Sequence, residues 1–448
     1  MRRLVVLGGS DGTISTFRAA RRLGLGTICV DLRADAPAVP EADEFLHVST
    51  RDVAAVAAAL SGRDDLAGVI APGTDINLPS LVELAGRLGL PSGLSSGALR
   101  VSTDKAYFRE VCENLGLGGP AHVSGEAGAA GEAGEVLDAA GRLTFPVIVK
   151  PVDSGSSRGI TVCAGPDELP PAVASAAAAS PTATVIVEEL LTGQDLCGEA
   201  FVQDGSVALL GLSDRVVTAP HVVAVGHDMG PRAEELTKEV TRQLELLCAE
   251  VGYRDGPVNL DLFVDGGTVT LVEMGTRIGG NGMGEALGLM YGVDTVAAAV
   301  RLAVGERPAL APRGPRHVGV RMLRSPATGT LAGLDGVPAA LGSPGVADVL
   351  VTTAPGQPVA PYTECRAKLG YVLATGGSAE EVGRALAEAE RLIRVRVDPH
   401  GDAQADGQVD AHDNGHVDAH AEGRIDAHVD GQADAHAGGH VDAHVDAR

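Results

Sequence analysis

The sequence predicts a multi-domain protein of mixed α/β and α+β class, and three observations predict it. At 448 residues the chain is too long for one ordinary core, so two to four domains are expected. Its first hundred residues alternate short apolar runs with helical stretches, which implies a parallel sheet covered on both faces. Further along, the pattern shifts to paired strands, with Asp204-Gly205 as a strong hairpin turn.

The elements follow in order. Residues 1–100 read as a small Rossmann-like domain. Its pieces are the strand RRLVVLGG, the helix ISTFRAARRLG, the strand GTICVD, a helix near 51–61, the strand AGVIA and a helix near 76–88. The turn GGSDGT neither fits G-x-G-x-x-G nor carries the Lys-Ser/Thr of a P-loop, and reads as a tight strand-to-helix turn. A helix begins near Ser102–Asp104 and ends at Gly116. The Gly/Ala-rich stretch 125–136 reads as a surface connection, followed by the strand and loop FPVIVKPVDSGSSRG. Then come VIVEELLTGQD, the pair CGEAFVQDG/SVALLGL, an amphipathic helix over 231–251, and a second hairpin, VNLDLFVDGGTVTLVEMG. Residues 306–397, with VADVLVT, LGYVLAT and the helix SAEEVGRALAEAERLI, read as a small α+β domain.

Beyond Val397 the composition changes abruptly. From residue 401 an eight-residue unit repeats (VDAHDNGH, VDAHAEGR, IDAHVDGQ), with too little apolar material to build a core. The tail 398–448 is therefore expected to be disordered. It carries eleven Asp and one Glu against two Arg, or −10 of the chain's −24. Its Asp-x-His units suit a loose Zn²⁺ or Ni²⁺ chelator, but a merely solvating repeat explains them as well.

The strong negative charge argues against general nucleic-acid binding. Six scattered cysteines without C-x-x-C spacing read as reduced thiols, with no disulfide frame or zinc site. The apolar run at the N-terminus is too short for a signal peptide, and no stretch approaches the ~18 apolar residues of a membrane span. A cytoplasmic protein is expected.

Only four lysines occur (Lys105, Lys150, Lys238, Lys368) against 31 arginines, so each lysine is informative. Lys150 ends an apolar strand just before a Gly/Ser loop. A phosphate chain needs fixed cations and glycine-rich backbone that can approach closely, although a lone strand-end lysine also serves simply by snorkelling. The second hairpin weighs in favour of phosphate. A three-residue loop at Gly266–Thr268 would set Asp261 and Glu273 opposite each other on a face otherwise built of Val and Leu. Two such carboxylates repel unless a cation lies between them, and oxygen ligands of this kind suit Mg²⁺ shared with nucleotide phosphates.

At this point the chain resembles the ATP-grasp superfamily. The matching pieces run in the family's order from about 100 to 305: TDKAYFREVCENLGL, FPVIVKPVDSGSSRG, VIVEELLTGQD, NLDLF and VEMGTRIGGNG. The resemblance implies an ATP-grasp domain over 101–305 with a lid at roughly 113–190. A Rossmann-like domain precedes it over 1–100, and a C-terminal domain follows over 306–397. It implies that Lys105 and Lys150 hold ATP phosphates, with Ser154, Gly155, Ser156, Ser157 and Gly159 in a closing flap. Glu188, Glu189 and Leu191 would border the adenine and Asp195 the ribose. Asp261 and Glu273 would carry Mg²⁺ (or Mn²⁺), and Arg277 would meet the γ-phosphate. His227, Gly280 and Asn281 would lie on the substrate side. One residue departs from the pattern: Gly275 stands where the family often has Asn, which removes an oxygen ligand unless water or Asn281 replaces it.

What the resemblance implies for function is an ATP-dependent carboxylate–amine ligase of the L-amino-acid ligase kind, joining small acids and amines through an acyl phosphate, for instance in natural-product biosynthesis. Dimerisation through the flanking domains is implied in the same way. A biotin-carboxylase-like enzyme and a non-catalytic nucleotide or metal binder are the competing readings.

Overall fold

The computed structural model describes residues 1–127, 134–155, 158–218, 221–364 and 367–399. The octad tail, Ser156, Ser157 and Cys365 lie outside them. The five described cysteines are free thiols.

Four parallel strands open the chain: β1 (Arg3–Leu7), β2 (Gly26–Asp31), β3 (Glu44–His47) and β4 (Leu66–Ile70), in the order β3-β2-β1-β4. One face packs its Val5, Leu7, Ile28 and Val69 under the helices Val53–Leu60 and Leu78–Leu88. A run buried on both sides needs no polar alternation, which is why these strands read as continuously apolar.

A second, antiparallel sheet joins β5 (His122–Glu126), β6 (Val147–Pro151), β7 (Thr161–Cys163) and β8 (Thr184–Glu189) in the order β5-β8-β6-β7. The alanine-rich helix Leu169–Ala179 closes its apolar face over Val147, Val149, Val185 and Val187.

The centre is an eight-stranded antiparallel sheet. Its strands are β9 (Gln194–Gln203), β10 (Ser206–Thr218), β11 (His221–Gly230), β12 (Gly256–Asp265), β13 (Thr268–Gly275) and β14 (His317–Leu323). Two later strands, β16 (Val346–Val351) and β18 (Gly370–Gly376), complete it in the order β13-β12-β9-β10-β11-β14-β18-β16. Residues 306–397 thus share the central sheet, and add a three-stranded sheet of β15 (Gly329–Asp335), β17 (Pro358–Val359) and β19 (Arg394–Asp398). The β9–β10 hairpin turns on Asp204 and Gly205, both at positive φ, as the sequence signal requires.

One face of the central sheet rests on the helices Ser96–Thr103, Lys105–Asn114 and Glu234–Glu250 through Leu196, Leu260, Leu262, Leu271 and Met274. Its other face meets the bent helix pair Met283–Tyr291 and Thr295–Ala303, which also packs on the first sheet. The approach is close: a Cβ on Gly68 of β4 would lie 1.9 Å from the Ala303 carbonyl oxygen. No single helix among the described residues is long and apolar enough to cross a membrane.

Candidate active site

The site face of the central sheet is set by one extra residue. The β12–β13 turn is two residues long, Gly266-Gly267, with Asp265 paired to Thr268, rather than the three expected. Continued evenly, that register would oppose Asp261 to Val272 and turn Glu273 toward the leucine-rich layer. Instead Leu262 pairs with Leu271 and Asp261 with Glu273, so Val272 is the additional residue of a bulge. The bulge keeps Leu271 and Met274 in the core and still brings the two carboxylates opposite each other.

Asp261 also pairs with Cys197 of β9, and Cys197 with Ser213 of β10. Arg215, two residues beyond Ser213, donates from Nη2 to Asp261 Oδ1 at 2.8 Å and contacts Cys197 Sγ at the same distance. Burial pushes the Asp261 carboxyl up, the neighbouring Glu273 adds to this, and the Arg215 guanidinium opposes it.

Lys105 opens its helix directly after the N-cap Asp104, whose carboxylate accepts from the Tyr107 N–H. Its Nζ donates to the Ser154 carbonyl at 3.0 Å and lies 3.7 Å from Glu273 Oε2. Lys150, on β6, is 8% exposed and donates to Glu188 Oε2 on β8 at 2.6 Å. The second oxygen of Glu188 takes the Arg109 Nε–H at 2.5 Å, and Arg109 Nη1 donates to the Leu271 carbonyl of β13 at 2.6 Å. Burial alone would raise the Glu188 carboxyl, but Arg109 and Lys150 outweigh it and hold the group at about 2. Its side chain is therefore committed to the two cations.

The remaining expected residues fall in three places. Ser154, Gly155 and Gly159 lie in the loop after β6, with the Ser154 hydroxyl buried and unpartnered. Glu189 accepts from the Thr144 N–H, Leu191 is half-buried, and Asp195 is exposed 3.6 Å from Arg215. Arg277 reaches away from β13 to Asp75, in the turn after β4, Nη2 to Oδ2 at 2.6 Å, while Gly73 N–H donates to the Ile278 carbonyl. The Asn281 amide oxygen accepts from Lys368 Nζ at 2.5 Å, and Lys368 is also paired with Asp11 of the GGSDGT turn at 2.8 Å. Asn281 is thus engaged away from the Asp261–Glu273 pair.

His227 is buried on β11, register-opposite Arg215, with Nδ1 3.4 Å from Ser213 Oγ and Nε2 unpartnered. Burial, then the charges of Arg215, Arg321 and Lys368, hold it down to about 3, so the ring is neutral. Glu199 of β9 is buried beneath the RIGGN loop, accepting from the Gly279 N–H at 2.9 Å and the Asn259 amide at 3.1 Å. Burial pushes its carboxyl to about 8.

Sequence reasoning missed Arg109, Asp75, Arg215 and Glu199. Arg109 left a signal: it is four residues after Lys105 on the same helix face, among Phe108, Val111 and Cys112. The others become visible only when distant segments meet.

Four of the acids here are each matched by a base: Asp75 with Arg277, Asp261 with Arg215, Glu273 with Lys105, Glu188 with Lys150 and Arg109. Among the described residues no three His, Cys, Asp or Glu side chains converge on one metal position. The donor set nevertheless suits a cation bound together with a polyanion. Phosphates can take over the bases, which frees the hard carboxylate oxygens for a divalent ion. The unpartnered buried atoms Ser154 Oγ, Asp75 Oδ1 and Arg277 Nε are bonding capacity still unused.

Comparison with known proteins follows the same lines. Residues 143–285 match the ATP-grasp domain and residues 321–398 the L-amino acid ligase C-terminal domain 2. An uncharacterized protein of Sinorhizobium fredii, y4rH, is 26% identical over 402 residues, 87% of this chain and 81% of that one. The fold is that of the Bacillus licheniformis L-amino acid ligase, with TM-score 0.72 at 19% identity, covering 89% of this chain and 99% of that one. It is equally that of a biotin carboxylase domain from Hydrogenobacter thermophilus, solved with MgADP and bicarbonate, with TM-score 0.72 at 18% identity over 88% and 91% of the two chains. Residues 143–285 are thus an ATP-grasp domain, a domain whose enzymes use ATP and Mg²⁺, and residues 321–398 the C-terminal domain of the L-amino acid ligases.

Proposed function

We propose that the protein is an ATP-dependent carboxylate–amine ligase that joins a small acid to an amine, both of amino-acid type, releasing ADP and phosphate. The observation that carries this reading is the facing pair Asp261–Glu273 ringed by bases, together with the L-amino acid ligase domain behind it.

A carboxylate is a poor electrophile at neutral pH, and phosphorylation turns it into an acyl phosphate that an amine can attack. Phosphoryl transfer asks the protein mainly for positioning and charge neutralisation. In this reading Lys105 and Lys150 hold the phosphate chain, Ser154, Gly155 and Gly159 close over it to exclude water, and the backbone from Glu188 to Leu191 borders the adenine. Asp261 and Glu273 would hold the divalent cation, which supplies further charge neutralisation between the phosphates. Arg277 faces the transferring group and then the acyl phosphate. The neutral His227 offers Nε2 as a hydrogen-bond acceptor that orients the incoming amine, with Gly280 and Asn281 lining the same side. The same exchange of partners explains why each base holds an acid in the structure: it keeps buried charges compensated until the nucleotide arrives.

The test is ADP release with Mg²⁺-ATP against pooled amino acids and small carboxylic acids, with mass spectrometry on active mixtures and a Lys150→Ala protein alongside. ADP release that requires both an acid and an amine and yields a new amide mass is expected. The variant should lose at least ~100-fold in rate, since an electrostatic contact made in the transition state is removed. The likeness to the carboxylase domain makes bicarbonate the necessary control. ADP release with bicarbonate and no amine would overturn the ligase reading.

A further inference from the structure

The gap at Gly275 is filled from another part of the chain. Gly275 has no positive φ that would call for glycine. A Cβ there would instead lie 2.5 Å from Asp75 Oδ1, inside any normal contact. Position 275 lies two residues beyond Glu273 on the same face of β13, cross-strand from Asn259. A side chain at 275 would therefore project beside Glu273, and that space holds the carboxylate of Asp75, from the single 3₁₀ turn Asp75–Asn77 after β4. Asp75 Oδ2 is bound to Arg277 at 2.6 Å, whereas Oδ1 is buried with no hydrogen-bond partner. A buried carboxylate oxygen left unpaired next to another carboxylate's position is costly unless a cation completes it.

We propose that Asp75 is the oxygen ligand a side chain at 275 would otherwise provide: from the first domain it presents Oδ1 beside Glu273 to the divalent cation bound with the nucleotide. This rests on the reading of the site as one for a metal nucleotide. In the structure Asp75, Asp261 and Glu273 are each drawn to a base. They converge on a metal once phosphates have taken Arg277, Arg215 and Lys105. The arrangement also gives the Asp75–Arg277 pair two tasks, one partner on the metal and the other on the transferring phosphate. The metal site then spans the first domain and the central sheet.

The experiment is a Mn²⁺ titration followed by electron paramagnetic resonance, with the β,γ-imido analogue of ATP present. Wild type is compared with Asp75→Ala, Gly275→Asn and the double variant, with folding checked by circular dichroism and analogue binding by calorimetry. Asp75→Ala should weaken Mn²⁺ by about tenfold or more. Gly275→Asn alone should do the same, because its Cβ and Asp75 cannot share the space. The double variant should return to within about threefold of wild type, since the amide oxygen now has room beside Glu273. Asp75→Asn, which keeps an oxygen for Arg277, serves if the alanine variant does not fold, and should weaken Mn²⁺ as well. Unchanged Mn²⁺ binding in Asp75→Ala, or a double variant no better than Asp75→Ala, overturns the proposal. The second result would leave Asp75 only the task of holding Arg277. A wild-type protein that fails to bind the analogue at all refutes the underlying site reading, and calorimetry tells that outcome from the others.

Discussion

Replacing Glu188 by glutamine removes one negative charge from a pocket that holds two positive ones, at almost constant shape. The carboxylate is nearly inaccessible and bridges Lys150 at 2.6 Å and Arg109 at 2.5 Å, so the variant leaves two buried cations without a counter-charge. Its carboxyl is held at about 2 against an ordinary 4.5, and each tenfold in proton affinity is worth about 1.4 kcal/mol, so the folded-state bias is about 3 kcal/mol. That agrees with the ~3–5 kcal/mol lost when one partner of a buried pair is removed. Because the folded value lies below the unfolded one, this stability is fully present above about pH 4.5 and is lost as pH falls toward 2. Urea melts of wild type and Glu188→Gln should therefore differ by about 3 kcal/mol at every pH from 5 to 8, with the gap narrowing below 4.5. Equal stability at pH 7, or a gap that changes between pH 5 and 8, would refute the assignment of Glu188 as the charge anchor of Lys150 and Arg109.

Other outcomes follow from the same geometry. Deleting Val272 lets the β12–β13 ladder run evenly from the Asp265–Thr268 pair, with Asp261 still opposite Glu273 and with Leu271 and Met274 still in the core. Mn²⁺ binding should therefore be retained within about threefold, whereas its loss in a folded deletion variant would show that pairing register alone does not place the acid. Glu199, raised to about 8, keeps a proton in the folded chain that the unfolded chain gives up near 4.5, so wild-type stability should fall as pH rises between those values. Glu199→Gln lacks that loss, on the order of 4 kcal/mol by pH 8, and parallel thermal-melt profiles for the two proteins would refute the assignment. Removal of residues 400–448 should leave turnover intact, and a loss of more than about tenfold would give the Asp/His repeat a part in catalysis.

Much of this molecule could be read from one-dimensional pattern, where a local rule governs. The parallel strands of the first sheet, the Asp204-Gly205 turn, the cap at Asp104 and the strand-end Lys150 each announce themselves within a few residues. The pairing of Asp261 with Glu273 was expected, yet for the wrong turn: parity was inferred from a three-residue loop, and the protein uses a two-residue turn plus a bulge. A bulge leaves little trace in the sequence, because Leu271, Val272 and Met274 are apolar whichever way they face. The strand carrying His227 and the joining of residues 306–397 to the central sheet went unseen, since pairings between distant strands depend on packing rather than propensity. Arg215, Glu199 and Asp75 were missed for the same reason. Their partners lie at Asp261, Gly279 and Arg277, from 46 to 202 positions away.

The continuity of the central sheet from β13 to β16 limits how such proteins can be recombined. A chimera that exchanged everything after the helix Thr295–Ala303 for the matching part of a relative would not swap a bead on a string. It would strip β14 from β11, expose a row of unpaired backbone groups, and invite edge-to-edge association unless the graft's first strand met the Gly226–Met229 register. Altered substrate preference is therefore better sought by exchanging loops that hang from the sheet, such as 277–282, than by exchanging the C-terminal third of the chain.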